Sequence, residues 1–286
     1  MSSSAEVAGS GTRIKRSLPW SLWLRQLATI MRLEVKKNFL AKRSLLVYPL
    51  AAMPIGLLLI AAVLNPLGRD MVQYQTIFSI FYNALILHTV VFFGCAWIFM
   101  NLFRGDIVDR SLHYYFLSSV RREVLVVGKY VSGLLTSILL FTTVTVVSML
   151  LMFFPHSYAA SMQFFLDGPG IVHLLTYAGI TILACIGYGA FFLIVGLFFR
   201  NPIIPALVLY GWEWINFLLP PLLKKISVIH YLNSLVPVPL SEGPLAVVGE
   251  PTPAWISVPG LVILTALVLL AAGTRIRRME IRYGSD

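Results

Sequence analysis

Residues 77–103 read IFSIFYNALILHTVVFFGCAWIFMNLF, 27 positions without an Asp, Glu, Lys or Arg. A helix needs only about 20 apolar residues to cross the hydrocarbon core of a bilayer. Further apolar runs lie on both sides: Leu45 to Leu64, Val124 to Phe154, Ile171 to Phe199, Ile203 to Leu223 and Trp255 to Ala272. The chain has 286 residues, 58% hydrophobic and 12% charged, against about a quarter charged in a soluble domain. Its mean hydropathy is +0.83. The expected fold is an all-α integral membrane domain of six transmembrane helices over residues 45–274. A disordered cytoplasmic tail (1–16) and an amphipathic interfacial helix (17–43) precede it, and a cytoplasmic tail (275–286) follows.

Charge sets the expected orientation. Nine Lys or Arg precede the first span, five lie between spans 2 and 3, one lies between spans 4 and 5, and four follow span 6. Only Arg69, Lys224 and Lys225 fall on the other side, leaving 19 of 22 basic residues on one face. The positive-inside rule then places both termini in the cytoplasm, in the plasma or inner cell membrane. The net charge of +10 reads as a collar at the lipid headgroups and not as a nucleic-acid surface. No export signal is read in the first 44 residues.

Ahead of span 1, Trp20, Trp23, Leu24, Leu27, Met31, Val35 and Phe39 recur at helical spacing, with Arg25, Gln26, Arg32, Lys36 and Lys37 between them. An apolar face bearing tryptophan opposite a basic face describes a helix lying in the inner interface. Beyond span 5, residues 224–254 are only half polar, and seven prolines fall between Pro220 and Pro253. Such a link is expected to dip into the outer leaflet against protein rather than to form one helix.

The polar stretch 109–129, DRSLHYYFLSSVRREVLVVGK, interrupts the apolar pattern between spans 2 and 3. It resembles the cytoplasmic loop of ABC-2 type transporter permeases, in which an acidic residue, a Gly-Thr-Leu, an Arg and a closing Gly-Lys recur. Here the matching residues are Asp106 or Asp109, Ser111-Leu112, Tyr115-Phe116-Leu117, Arg121-Arg122 and Gly128-Lys129-Tyr130. Arg110-Ser111 stands where Gly-Thr is common, and Ser119-Val120 where a Pro is common. Six spans, the basic lead-in, the very short link Arg200-Asn201-Pro202 and the long outer link are also similar to that family.

The resemblance implies a short coupling helix in this loop that docks on a separate ATPase. Asp106, Asp109, Arg110, Leu112, Tyr115, Phe116, Arg121, Arg122 and Lys129 would meet it. It also implies an exporter that pairs with a second copy or a similar chain and carries two ATPase subunits. No G-x-x-x-x-G-K-[ST] occurs in the sequence, so ATP and Mg are expected in the partner and no cofactor or enzymatic activity in this chain.

Within the membrane, Glu213 stands in LVLYGWEWINFLLPPLL (207–223). A carboxylate at that depth is costly and marks a functional candidate. Two readings remain open. In one, Glu213 lines a transport path or gate with Trp212 and Asn216. In the other, it is a structural carboxylate bonded to neighbouring helices. An alternative function is a proton-coupled secondary transporter or channel using Glu213. An intramembrane enzyme is a further rival, but His88 and Glu213 alone do not form a catalytic set. Cys95 and Cys185 read as buried packing residues, without metal-site spacing. In span 4, Gly179, Gly187, Gly189 and Gly196 fit close helix packing.

Overall fold

Where the helix Gly170–Phe198 crosses the helix Phe92–Val108, the backbone of Met100 comes so close to Gly196 that a Cβ there would stand 2.9 Å from the Met100 Cα. This crossing organises the protein. A computed structural model describes residues 20–40, 45–64, 71–108, 122–153, 158–199, 201–224, 226–238 and 253–277. Among the described residues 92% are helical and none is in a strand, so the all-helical expectation holds.

The long elements are α1 (Trp20–Leu40), α2 (Val47–Leu64), α3 (Met71–Phe81), a π-helical segment (Tyr82–Val91), α4 (Phe92–Val108), α5 (Arg122–Phe153), α6 (Tyr158–Leu166) and α7 (Gly170–Phe198). The shorter α8 (Ile203–Ile215), α9 (Pro221–Lys224) and α10 (Val228–Asn233) follow, and α11 (Ala254–Arg277) closes the bundle. The last helix thus runs three residues into the expected C-terminal tail.

Among the described residues, five helical stretches are long and apolar enough to cross a membrane: Val47–Leu64, Met71–Gly105, Val124–Phe153, Gly170–Phe198 and Ala254–Arg275. The chain is therefore built as a multi-pass helical membrane protein. The α3–α4 rod and α7 are each 67% buried over their most apolar window, whereas α2 and α11 are 22% buried. The first two form the core, and the other two turn aliphatic residues such as Leu59, Ile60, Val63, Ile263 and Leu267 outward. An apolar outer surface on this scale suits lipid and not water.

Small residues allow the tight core. Phe141 lies on Gly94 and Phe99 lies on Gly189, each over the place a Cβ would occupy. Gly187, Gly189 and Gly196 accordingly serve close packing, while Gly179 has open space around it, which corrects the expectation for that position. At the end of the bundle away from the basic residues, Phe78, Tyr82, Tyr177 and Phe153 form a ring cluster with centroids 4.7 to 6.4 Å apart. Three helices are tied there by hydroxyls. The Tyr82 hydroxyl lies 3.0 Å from Thr181 Oγ1, which lies 3.0 Å from Thr145 Oγ1.

The π-helical segment is not foreseeable from hydropathy. Within it His88 Nδ1 donates to the carbonyl of Asn83 at 2.8 Å and Thr89 Oγ1 donates to that of Ala84 at 3.1 Å, each five residues back. The wider turn and its side-chain bonds belong together, since π-bulges shift a helix's register locally and often occur at functional positions.

The expected fifth span, Ile203 to Leu223, is not one continuous helix. Helix α8 has 13 residues, a rise of about 20 Å against a hydrocarbon core of about 30 Å. A 3-10 turn at Asn216–Leu218 ends it, Pro220 follows, and the chain folds back. Val228, Ile229 and Leu232 of α10 are buried against α7 and α11. Residues 226–238, the described part of the link after span 5, thus pack into the bundle.

Candidate functional site

Among the described residues, two of the buried polar assemblies contain a carboxylate, Glu34 in one and Glu213 in the other. The first lies at the basic end, where α1 runs along α5. Leu27, Ile30, Met31, Glu34 and Val35 face inward, while Arg25, Arg32, Lys36 and Lys37 face outward. Gly128 creates the contact: a Cβ there would stand 3.0 Å from Ile30 Cγ2. One residue on, Lys129 Nζ donates to Glu34 Oε1 at 2.5 Å and to the Leu102 carbonyl at 2.7 Å. It also sits 5.3 Å from the centre of the Phe103 ring. Lys129 is 0% and Glu34 2% exposed. One ammonium therefore joins three helices, α1, α4 and α5.

Lys129, one of the expected docking residues, is fully buried behind the polar stretch, at the junction of three helices. Asp109, Arg110, Leu112, Tyr115, Phe116 and Arg121 lie outside the described residues. Asp106 falls within α4 and Arg122 opens α5, but their side chains lie outside the described set. Glu34 was missed by the sequence reading, although a signal existed. It is the only acidic residue in 17–43, and it falls on the apolar face three and four positions after Met31 and Ile30.

The second assembly surrounds Glu213, which is 2% exposed. Ser227 Oγ donates to Oε2 at 2.6 Å, the Ile229 amide donates to Oε2 at 3.0 Å and the Val228 amide donates to Oε1 at 3.2 Å. The carboxyl of α8 thus caps the first turn of α10, satisfying amides that no intrahelical carbonyl reaches. A carboxylate at a helix N-terminus also gains from the helix dipole. The three donors come from consecutive residues of a single segment.

Around this cap the polar ties continue. Asn83 Nδ2 donates to Asn233 Oδ1 at 2.6 Å, and Ser79 Oγ donates to the Val238 carbonyl at 2.8 Å. Ser234 and Ser257 hydroxyls lie 2.9 Å apart. Asn216 is buried, and its Nδ2 has no hydrogen-bond partner among the described residues. Trp212 is half-buried and Trp214 is 47% exposed, with its ring 5.4 Å from that of His88. Glu213, Trp212 and Asn216 are therefore neighbours in α8 and its terminal turn, and the carboxyl turns inward toward α10. No group of three or more His, Cys, Asp or Glu able to hold a metal occurs among the described residues. No family model, no curated protein and no solved structure matches this chain.

Proposed function

We propose that this chain is the transmembrane permease subunit of an ABC-2 type transporter, an exporter energised by a separate ATPase that docks on residues 104–129. The chain crosses the membrane six times, with α8 and the turn that ends it making the fifth crossing before the chain folds back. Both termini face the cytoplasm of a cell whose plasma or inner membrane holds the protein. Two permease chains, identical or similar, work with two ATPase subunits, which supply ATP and Mg.

The observation that carries this reading is the joint at Gly128 and Lys129. These two residues close the loop pattern that resembles the family, and each has a mechanical role. Gly128 lets α1 approach α5, and Lys129 pins α1 and the end of α4 to it. A load applied to the stretch between α4 and α5 reaches three helices at once. The alternative, a proton-coupled carrier or channel built on Glu213, draws on a single carboxyl whose oxygens already accept three hydrogen bonds.

Affinity purification in mild detergent, with mass-spectrometric identification of what accompanies the chain, tests the proposal. A polypeptide bearing a G-x-x-x-x-G-K-[ST] loop is expected at roughly equal stoichiometry. A chain that purifies without one and transports its solute alone would overturn it.

A further inference from the structure

Helix α1 runs alongside the first half of α5. Leu27 and Ile30 lie over Gly128, and Glu34 meets Lys129. One turn on, Asn38 and Phe39 share a crevice with Thr136 and Leu140 of α5, with Val47 and Tyr48 at the start of α2, and with Ile98 of α4. The two helices therefore rise together from the basic end toward the apolar interior, and order along α1 is also order of depth. The crevice is walled by Phe39, Val47, Ile98 and Leu140. The Tyr48 hydroxyl donates to the Phe39 carbonyl at 2.8 Å and holds the start of α2 against the end of α1.

About 210 Å³ of empty space lies in the crevice and its open mouth, against about 300–1,000 Å³ for a site that encloses a small solute. That space suits a length of hydrocarbon whose remainder lies outside. Leu46 and Leu139, beside the lining residues, are exposed, so the flank is one that faces lipid. Asn38 Nδ2 borders the crevice and has no hydrogen-bond partner among the described residues. Arg32 and Lys36 are exposed, and they lie seven and three positions before Phe39, on its side of the helix. At about 1.5 Å per residue they stand about 10 and 5 Å nearer the basic end. Cations, then an amide donor, then an apolar crevice follow one another with depth, as the phosphate, ester and acyl chain of a lipid do.

We propose that this crevice binds one anionic glycerophospholipid from the leaflet at the basic end, with its phosphate on Arg32 and Lys36, an ester carbonyl at Asn38 and one acyl chain against Phe39, Ile98 and Leu140. Two cations at the headgroup favour a lipid of net negative charge over a zwitterionic one. The site needs only the multi-pass helical fold, so it stands or falls apart from the transport reading.

The probe is phosphatidylglycerol carrying a diazirine in one acyl chain, incorporated with the full-length chain into phosphatidylcholine nanodiscs, irradiated and mapped by mass spectrometry. Adducts are expected to concentrate on Phe39, Tyr48, Ile98 and Leu140. Unlabelled phosphatidylglycerol lowers their yield, and the same amount of added phosphatidylcholine does not. Arg32→Gln with Lys36→Gln weakens that competition about thirtyfold, the effect of two lost headgroup cations at about 1 kcal/mol each. Leu140→Trp fills the crevice and removes the adducts, whereas Leu139→Trp on the neighbouring exposed face leaves them. Where Leu140→Trp fails to fold, the cation variant decides, because both of its side chains are exposed and their loss leaves the core intact. Adducts spread evenly over the exposed faces of α2 and α11 would overturn the proposal. Equal competition by the two lipids, or competition unchanged by the cation variant, would do the same.

Discussion

Glu34 and Lys129, 95 positions apart in sequence, form a fully buried ion pair that fastens the lead-in helix to the first turns of α5. The pair is bonded further through the Leu102 carbonyl. Removing one partner of such a pair leaves an uncompensated buried charge, which costs about 3–5 kcal/mol, whereas replacing both by apolar residues is often neutral. Lys129→Met or Glu34→Ala is therefore expected to lower the thermal midpoint of the detergent-purified protein sharply. The double variant Glu34→Leu with Lys129→Met is expected to recover most of the loss. Equal midpoints for the single and double variants would show that the pair is not the joint described.

Glycine positions separate into seats and open sites. At Gly196 the obstacle to a Cβ is the Met100 backbone, which has no side-chain rotamer to yield. Gly196→Ala should cost about 1–3 kcal/mol, the usual range for overpacking. Gly179→Ala meets nothing within 4 Å and should be neutral or slightly stabilising, since Ala exceeds Gly in helix propensity by about 1 kcal/mol. Unfolding midpoints of the two variants in one detergent check the contrast.

Hydropathy made the long helices legible because an apolar run and a membrane crossing have the same cause. The expected Val124 to Phe154 and Ile171 to Phe199 differ from Arg122–Phe153 and Gly170–Phe198 by a residue or two at each end. Ile203 to Leu223 reads as one run for the same reason: the 13-residue α8, with Ile203, Ile204, Leu207 and Val208 exposed, and the turns after it are together as apolar as a full span. The Glu34–Lys129 pair was hidden because a charge on a basic lead-in helix reads as solvated until its partner's height is known. Glu213 was visible as an anomaly, but its donors lie 14 to 16 residues on, across a fold-back that no periodicity announces.

The cap also changes what a conservative substitution means. Two hydrogen bonds reach Oε2 and one reaches Oε1. A Gln at 213 has a single acceptor oxygen, so its amide nitrogen must face at least one N–H or O–H donor. Glu213→Gln is therefore expected to cost about 1–3 kcal/mol, the penalty of a buried group left unpaired. Ser227→Ala, which leaves both backbone amides in place, should cost less. Thermal midpoints in which Glu213→Gln matches wild type would contradict the cap.

Reporter fusions address the proposed topology. A reporter placed after Asp286 and another placed within residues 241–251 should report opposite sides of the membrane. A shared side for both would remove the sixth crossing, and with it the cytoplasmic placement of the 104–129 stretch.

In the proposed function a partner ATPase acts on the bundle through that stretch. The most direct measurement is ATP hydrolysis by the copurified ATPase in proteoliposomes, with and without this chain. The comparison includes the chain carrying Tyr115→Ala, Phe116→Ala and Arg121→Ala. The wild-type chain is expected to change the hydrolysis rate, and the triple variant to reach the membrane in normal amount but neither to retain the ATPase nor to change its rate. A triple variant that retains full coupling would contradict it.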